Sequence, residues 1–196
     1  MTTLETRSSD RILQKALELF SAKGYEAASV REICEASGLT KPTLYHFYGS
    51  KEGVYRAIVE GALEGFHTTL ARDLALSGSA RDQLKRMARR YFEYAGQNEQ
   101  VMRFIFSTVH NPSSAAPRTD FPRFYQQVVA LVGGVIEAGV AQGELRAGPI
   151  ELRLLTLMGA LGESLCGYLM GGEPKLTPEL ADGLVDSLFE GWSVPA

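Results

Sequence analysis

The chain has only two cysteines, Cys34 and Cys166, among its 196 residues. Two distant thiols in a chain that opens with a polar segment, unlike a signal peptide, are typical of reduced cysteines in a cytoplasmic protein. The sequence also lacks an uncharged apolar stretch of about 18 residues, the length that a membrane helix needs. We therefore expect a cytoplasmic protein without disulfides, a signal peptide or a membrane segment.

Motifs of several common enzyme classes are also missing. The chain contains no His-Glu-x-x-His, no glycine loop that ends in Lys-Ser/Thr and no Gly-x-Gly-x-x-Gly. The segment Gly162–Gly167 comes near a nucleophile elbow, but its spacing is one residue too long and it lies in a helical pattern, so we interpret Ser164 as structural. We interpret His67 as an ordinary surface or pocket residue. The sequence thus predicts a protein that is not an enzyme and uses neither a metal nor a cofactor.

Acidic residues are absent from one region. The whole chain has 20 basic and 23 acidic side chains, and a net charge of −3 gives no general indication of a nucleic-acid partner. However, residues 37–51 contain no Asp or Glu, while Lys41, His46 and Lys51 lie among them. A polyanion would meet no like charge in this region.

What is present is a helical pattern along nearly the whole chain. Apolar residues recur at a spacing of three or four, and no strand-like alternation persists. Polar, glycine and proline clusters separate the periodic segments. These boundaries predict an all-α protein with nine helices: 10–23, 30–36, 41–48, 51–76, 80–97, 99–109, 120–142, 149–171 and 177–192.

Helices 2 and 3 are short and joined by a tight turn. Ser29 and Glu32 have the spacing of a capping box, in which each residue bonds to the backbone of the other. Gly38 tolerates the positive φ of the turn, Thr40 can cap the next helix, and Pro42 is tolerated in its first turn. This arrangement is a helix-turn-helix, whose second helix places its N-terminal end in the DNA major groove.

Small polar residues occupy the end of helix 3 that would face DNA. Thr40, Lys41 and Thr43 can contact bases or backbone there. Tyr45 and His46, on the next turn, can reach phosphates. The candidate DNA contacts are these residues and three that flank them, and the full set is Ser29, Arg31, Thr40, Lys41, Thr43, Tyr45, His46 and Lys51.

Each of these residues also has a structural interpretation. Ser29 and Thr40 would cap helices in any protein. Arg31 could contact DNA or only pair with a nearby Glu, and a lone lysine is commonly just solvated. The ring of Tyr45 could pack against helix 1 while its hydroxyl points outward.

Two runs of residues carry a family resemblance. They are Ala-Ser-Val-Arg-Glu-Ile-Cys at 28–34 and Ser-Gly-Leu-Thr-Lys-Pro-Thr-Leu-Tyr-His-Phe-Tyr-Gly-Ser-Lys-Glu at 37–52. With Lys-Gly-Tyr at the end of helix 1, they closely resemble the DNA-binding domain of TetR/AcrR-family transcriptional regulators. The order His46-Phe47-Tyr48 departs mildly from the commoner orders of the family.

The resemblance implies an all-helical homodimer. It places a helix-turn-helix DNA-binding domain at residues 1–50, with helix 4 linking from about residue 50, and a ligand-binding and dimerisation domain at 51–196. It also implies that Thr40 and Lys41 touch backbone or bases, that Thr43 reads a base, and that Tyr45 and Lys51 bind phosphates.

Aromatic and apolar residues of the later helices are candidates for lining an effector pocket. Their abundance indicates an apolar or aromatic effector, although the same residues could form plain core. The candidates are Phe66, Tyr91, Tyr94, Phe104, His110, Phe124, Tyr125 and Met158.

Helices 8 and 9 carry more apolar residues than the core of one small domain usually needs. Along helix 8, leucines alternate with Gly159, Ala160 and Gly162, and small residues let helices approach closely. We therefore expect a homodimer through helices 8 and 9, although a monomer with a large core is the alternative.

Together these features predict a sequence-specific transcriptional regulator. In this hypothesis a dimer binds an inverted-repeat operator in double-stranded DNA as a repressor, and a small-molecule effector releases it. The alternative is a dimeric ligand-binding adapter that acts through a protein partner.

Overall fold

A computed structural model describes residues 3–110 and 116–192, except for the side chains of residues 3–6, 110 and 192. Every regular element in these ranges is an α-helix, as the apolar periodicity predicts. The helices are α1 (Thr3–Ala27), α2 (Val30–Ser37), α3 (Lys41–Tyr48), α4 (Lys51–Leu74), α5 (Ala80–Gln97), α6 (Glu99–His110), α7 (Phe121–Ala141), α8 (Ile150–Gly171) and α9 (Pro178–Trp192). From α2 onward the boundaries agree with the sequence-based ones to within about two residues, the usual uncertainty of helix ends.

The chain divides into two compact units. Unit 1 comprises Met1–Glu64 and Gln100–Phe121, and unit 2 comprises Gly65–Glu99 and Pro122–Ala196. This division differs from the predicted boundary at residue 50, because the first part of α4 and most of α6 belong to unit 1. The pattern of a single helix cannot show which of two cores receives its apolar face.

Unit 1 has an apolar core to which α6 contributes. Ile12 and Phe20 of α1 are buried with Leu44 of α3 and Tyr55 of α4, and Phe104 of α6 lies in the same cluster. Burial of this apolar surface is the main force that holds the short helices α2 and α3 in place.

The first helix is longer than predicted but breaks at the predicted position. It begins at Thr3 instead of residue 10, and the carbonyl of Ser9 accepts a hydrogen bond from the Tyr48 hydroxyl at 3.0 Å. Gly24 has φ 83° and ψ 163°, a conformation that strains any residue with a Cβ. The regular helix therefore ends at Gly24, and the chain turns before Tyr25.

Unit 2 is built from the second part of α4 and from α5, α7, α8 and α9. Its core is mainly aliphatic and includes Leu84, Ile136, Leu161 and Val185. Charged side chains join α5 to α9 outside this core: Arg81 and Lys85 both pair with Asp186 at 2.7 Å, and Arg89 pairs with Asp182.

Helices α7 and α8 are long and apolar enough to cross a membrane by length and composition alone. Both contribute to the core of unit 2, with Val132 on α7 and Leu157 on α8 fully enclosed. α8 also buries Arg153, whose guanidinium donates to the carbonyl of Arg146. The Ser164 hydroxyl is buried as well and donates to the Ala160 carbonyl at 2.8 Å, which is a bond within the helix. In this structure α7 and α8 are core helices.

Candidate nucleic-acid interface and effector cluster

The start of α2 is fixed by the predicted capping box. The Ser29 hydroxyl accepts from the backbone N–H of Glu32 at 3.3 Å, and a Glu32 carboxylate oxygen accepts from the backbone N–H of Ser29 at 2.9 Å. Lys23 pairs with the other carboxylate oxygen. The bonds from Lys23 and Ser29 hold the pKa of Glu32 at about 2, so the cap is ionised at neutral pH.

The turn and the start of α3 also follow the predicted geometry. Gly38 has φ 64° and ends α2 in the left-handed conformation. Thr40 is extended, and its hydroxyl oxygen accepts from the backbone N–H of Thr43 at 3.4 Å. The two threonine hydroxyls also share a hydrogen bond of 2.8 Å. These local bonds fix the N-terminal end of α3, the part of a helix-turn-helix that enters the major groove.

The outward face of α3 presents the predicted contact residues. Lys41, Tyr45 and His46 are exposed, and Tyr45 is 47% accessible, while Leu44 is fully buried. Among the described residues, none forms an ion pair with Lys41. The exposed ring of Tyr45 does not fit the interpretation in which it packs against helix 1. Tyr48 instead reaches α1, through its hydrogen bond to Ser9. α3 offers a cationic and hydrogen-bonding surface that is ready for an anionic partner.

Two predicted contacts have intramolecular partners. Arg31 pairs with Glu35 one turn later, with 2.7 Å between Nε and a carboxylate oxygen, and both side chains are exposed. The Ser29 hydroxyl is engaged with Glu32 on both its donor and acceptor sides. An exposed ion pair exchanges easily with a phosphate, so the Arg31 position still suits contact with DNA, whereas Ser29 holds the end of the helix.

Lys51, the last predicted contact, is engaged within unit 1. Its Nζ donates to the carbonyl oxygens of Tyr25 and Ala28, both at 2.9 Å, and to that of Glu26 at 3.4 Å. The same atom lies 4.2 Å from the centre of the Tyr25 ring, at a cation–π distance. An ammonium group has three N–H donors, so Lys51 joins α4 to the end of α1 and to Ala28, which follows it. Sequence reasoning missed this clamp, because its partners are backbone carbonyls 23 to 26 residues away.

Four of the predicted effector residues meet in unit 2. The ring of Phe66 lies 5.5 Å from the rings of both Tyr91 and Tyr94 and 6.2 Å from that of Phe124, measured between centres. Burial raises the pKa of the Tyr91 hydroxyl. Among the described residues this hydroxyl has no hydrogen-bond partner, and a buried hydroxyl is normally hydrogen-bonded.

The other predicted effector residues lie elsewhere or have other surroundings. Met158 is half-buried against the core of unit 2. Phe104 lies in the core of unit 1, stacked on Phe20 at 6.2 Å, and Tyr125 is half exposed. The side chain of His110 lies outside the described residues. The structure thus brings together only part of the predicted set.

Helix α8 presents an exposed apolar stripe. Leu152 and Leu155 are 61% and 66% accessible, and Met170 at the other end is 77% accessible. Gly159 and Gly162 lie between them at helical spacing, and a Cβ built on either glycine would meet nothing within 4 Å. Large apolar side chains that are exposed together commonly mark a surface for another protein.

Comparison with known proteins gives a family match in the N-terminal part of the chain. Residues 12–58 match the model of the family described as bacterial regulatory proteins, tetR family. The matched segment contains the capping box, the turn and all of α3.

The part of the chain that the structure describes contains no group of three or more His, Cys, Asp or Glu side chains that could hold a metal ion.

Relatives extend the similarity beyond the helix-turn-helix. The chain is 29% identical over 108 residues to the HTH-type transcriptional activator FasR of Mycolicibacterium smegmatis, over 54% of this chain and 49% of FasR, so it spans about half the length of that relative. It is 25% identical over 162 residues to the HTH-type transcriptional repressor KstR2 of Rhodococcus jostii, which is 82% of this chain and 79% of KstR2.

The structural likeness covers both units. The crystal structure of the TetR family transcriptional regulator PfmR from Thermus thermophilus matches with a TM-score of 0.75 and 26% identity. The match covers 92% of this chain and 98% of PfmR.

Proposed function

Because the chain belongs to the TetR family of bacterial regulatory proteins, we propose that it is a DNA-binding transcriptional regulator of the cytoplasm. Its operator is an inverted repeat in double-stranded DNA. It acts as a repressor that a small molecule releases from this operator.

One observation carries the DNA-binding part of the proposal. α3 exposes Lys41, Tyr45 and His46 on a face without an acidic residue, and a hydroxyl cap fixes the end of this helix next to Thr43. In this proposal Thr43 reads a base edge, while Lys41 and the aromatic side chains bind backbone. Arg31 exchanges Glu35 for a phosphate.

The exposed stripe on α8 supports a homodimer through α8 and α9. Leu152 and Leu155 cost free energy when they face water, and a second copy of the chain would cover them. On α9, Leu180, Leu184 and Leu188 are half-buried at a spacing of four residues. A two-fold dimer supplies two α3 helices, which is what an inverted repeat requires.

The aromatic cluster of unit 2 supports an effector site there. Phe66, Tyr91, Tyr94 and Phe124 offer flat apolar surfaces, and the Tyr91 hydroxyl offers one hydrogen bond inside them. The effector of this proposal is largely apolar or aromatic and bonds to Tyr91. Met158 and Tyr125 are the further candidate contacts on α8 and α7.

Repression is the finer part of the proposal. KstR2, named as a repressor, aligns over 79% of its length, whereas FasR, named as an activator, aligns over 49%. In this mechanism the effector prefers the state that does not fit the operator, and a preference of about 3 kcal/mol lowers DNA affinity about 150-fold.

The first test is selection of bound sequences from a random duplex pool by the purified protein, followed by titration of the selected duplex at several salt concentrations. We expect an enriched inverted repeat and an affinity that falls steeply with salt, because phosphate contacts release counterions. Absence of enrichment by the folded, ligand-free protein would contradict the proposal and favour an adapter that acts through a protein partner.

A further inference from the structure

Unit 1 contains a cleft that the proposed effector site does not use. It lies among the end of α1, α4 and α6 and has a volume of about 240 Å³. Four aromatic side chains form its inner wall: Phe20, Tyr25, Tyr55 and Phe104. Three hydroxyl side chains lie around them: Ser21, Ser107 and Thr108.

The four rings form a closed set of contacts. The centre of the Tyr55 ring lies 5.1 Å from that of Tyr25 and 5.5 Å from that of Phe104, and Phe20 lies 5.5 Å from Tyr25 and 6.2 Å from Phe104. Three of these four contacts are edge-on or tilted. Phe20, Tyr55 and Phe104 are almost fully enclosed, whereas Tyr25 is half-buried and offers its ring to a further aromatic ring.

The hydroxyl groups of the cleft favour a ligand that donates a hydrogen bond. Ser107 and Thr108 each donate their proton to the carbonyl of Phe104, at 2.8 and 2.9 Å, so each keeps lone pairs to accept with. Tyr55 donates to Thr108 only at 3.4 Å. The Ser21 hydroxyl has no hydrogen-bond partner among the described residues and can accept as well.

The charge and size of the cleft further restrict the chemical class of ligand that it could bind. Among the residues that the structure describes, no charged side chain lines the cleft, so an ionic ligand would lose its hydration without gaining a partner from them. A volume of about 240 Å³ equals that of roughly eight water molecules in the liquid, which suits one ring or two fused rings. The backbone of Gly24 forms part of the wall, and a Cβ there would meet nothing within 4 Å.

We propose that this cleft binds a small, uncharged aromatic molecule that carries a hydroxyl or N–H group, such as a phenol or an indole. The ring lies against Tyr25, and the polar group donates to Thr108 or Ser107. This site is separate from the aromatic cluster around Tyr91.

The cleft is connected to the helix-turn-helix by Tyr25. This ring lies both in the wall of the cleft and under the ammonium group of Lys51. Lys51 also holds the carbonyl of Ala28, the residue before the Ser29 cap of α2. A ligand that displaces Tyr25 therefore shifts the start of α2 and weakens DNA binding. This last step rests on the proposed function, whereas binding itself does not.

The experiment measures binding of phenol, indole, cyclohexanol and benzoate to the 196-residue protein without DNA, by ligand-observed NMR and calorimetry. We expect phenol and indole to bind with a dissociation constant in about the millimolar range or tighter, given their few atoms. Cyclohexanol lacks the flat ring and benzoate is charged, so we expect both to bind at least about tenfold more weakly.

Two variants locate the site. Ser107→Phe fills the cleft and should weaken phenol binding by about tenfold or more, whereas Val109→Phe adds the same ring to an exposed position on the same helix and should leave it unchanged. Thr108→Val keeps the side-chain shape. It should weaken phenol about fivefold but leave toluene binding unchanged, because only the acceptor is lost.

The results separate this inference from the proposed function. Three results would overturn binding of phenol in the cleft. They are unchanged binding in both Ser107→Phe and Thr108→Val, a loss of binding in Tyr91→Phe instead, and no binding at all. Phenol binding in a protein without an enriched operator supports the cleft and counts only against the proposed function. With an operator in hand, saturating phenol should weaken DNA binding about fivefold or more, and no effect would overturn the connection through Tyr25.

Discussion

The two units expose opposite kinds of surface. In unit 1 the exposed face of α3 carries Lys41, Tyr45 and His46, while Leu44 is withdrawn into the core. In unit 2 the exposed face of α8 carries Leu152 and Leu155. Both surfaces are helical, but one suits a charged polymer and the other an apolar partner such as a second copy of the chain.

The difference teaches how each surface is encoded. The proposed contact residues of α3 lie within a few positions of one another and depend on local caps, so a short motif defines them. The apolar stripe on α8 extends from Leu152 to Met170, and it is a surface only because the opposite face, with Leu157 and Leu161, is buried. A helix with apolar residues on several sides does not reveal which side remains exposed.

The largest expected effect comes from breaking the stripe on α8. A charge at Leu155 cannot be buried against a second copy without a partner. We expect Leu155→Glu to give monomers in sedimentation and to weaken binding to the selected inverted repeat about 100-fold, since two linked half-sites lose their avidity.

The matched control is Gln142→Glu, which adds the same charge to an exposed residue just after α7. It should leave both the assembly state and DNA binding unchanged. A dimer that survives Leu155→Glu would move the interface away from this face of α8.

The second-largest expected effect is on DNA affinity, when a cation is removed from α3. We expect Lys41→Ala to weaken binding to all duplex sequences about tenfold, because a charged hydrogen bond to DNA is lost. The slope of log affinity against log salt should decrease by about one. Lys175→Ala, an exposed lysine of unit 2, is the control, and equal effects in the two variants would contradict a specific role for α3.

Replacement of Lys51 should have a smaller effect on DNA binding, and it tests whether this lysine joins α4 to α1 or contacts DNA. Replacement by Met removes the bonds to the Tyr25 and Ala28 carbonyls. We expect a lower melting temperature and about threefold weaker DNA binding, with the salt slope unchanged. A slope reduced by about one, as for Lys41, would instead show that Lys51 leaves its carbonyls to bind a phosphate.

The smallest effect concerns the ion pairs between α5 and α9. The bond from Arg89 lowers the pKa of Asp182, and bonds from Lys85 and Arg81 lower the pKa of Asp186. An Asp with a lowered folded-state pKa stabilises the protein above its ordinary pKa of about 3.9, and this contribution is lost as the pH falls through the lower folded value.

We therefore expect Arg89→Met to lower the melting temperature by about 2 °C or less at pH 6, because exposed ion pairs contribute little. The difference from the unmodified protein should shrink as the pH falls below the ordinary Asp pKa of about 3.9. Thermal unfolding followed by circular dichroism measures both values, and a difference that persists in acid would assign the effect to packing of the Arg89 side chain.

Much of the fold could be predicted from local signals. Ser29 with Glu32, Gly38 and Thr40 predict the ends of α2 and α3, and the structure confirms these caps. Caps and turns act over three or four residues, so their chemistry is visible in the chain itself. The break at Gly24 could be predicted for the same reason.

The sites were less predictable where residues distant in sequence determine the surroundings of a side chain. Aromatic composition suggested Phe66 and Phe104 equally, but these rings lie in different cores. Lys51 resembled a phosphate contact, yet its ammonium group binds carbonyls contributed by the end of α1 and the segment that follows it. No local pattern distinguishes a lysine that faces solvent from one that faces a carbonyl.

The sequence by itself determined the helical class, the helix-turn-helix and the residues at the N-terminal end of α3, because these depend on spacing and capping within one or two turns. Only the tertiary structure decided that α6 packs in unit 1, that Tyr25 lies between Lys51 and a cleft, and that Leu152 and Leu155 stay exposed. Each of these depends on which apolar faces bury one another, and that choice is made by the whole chain at once.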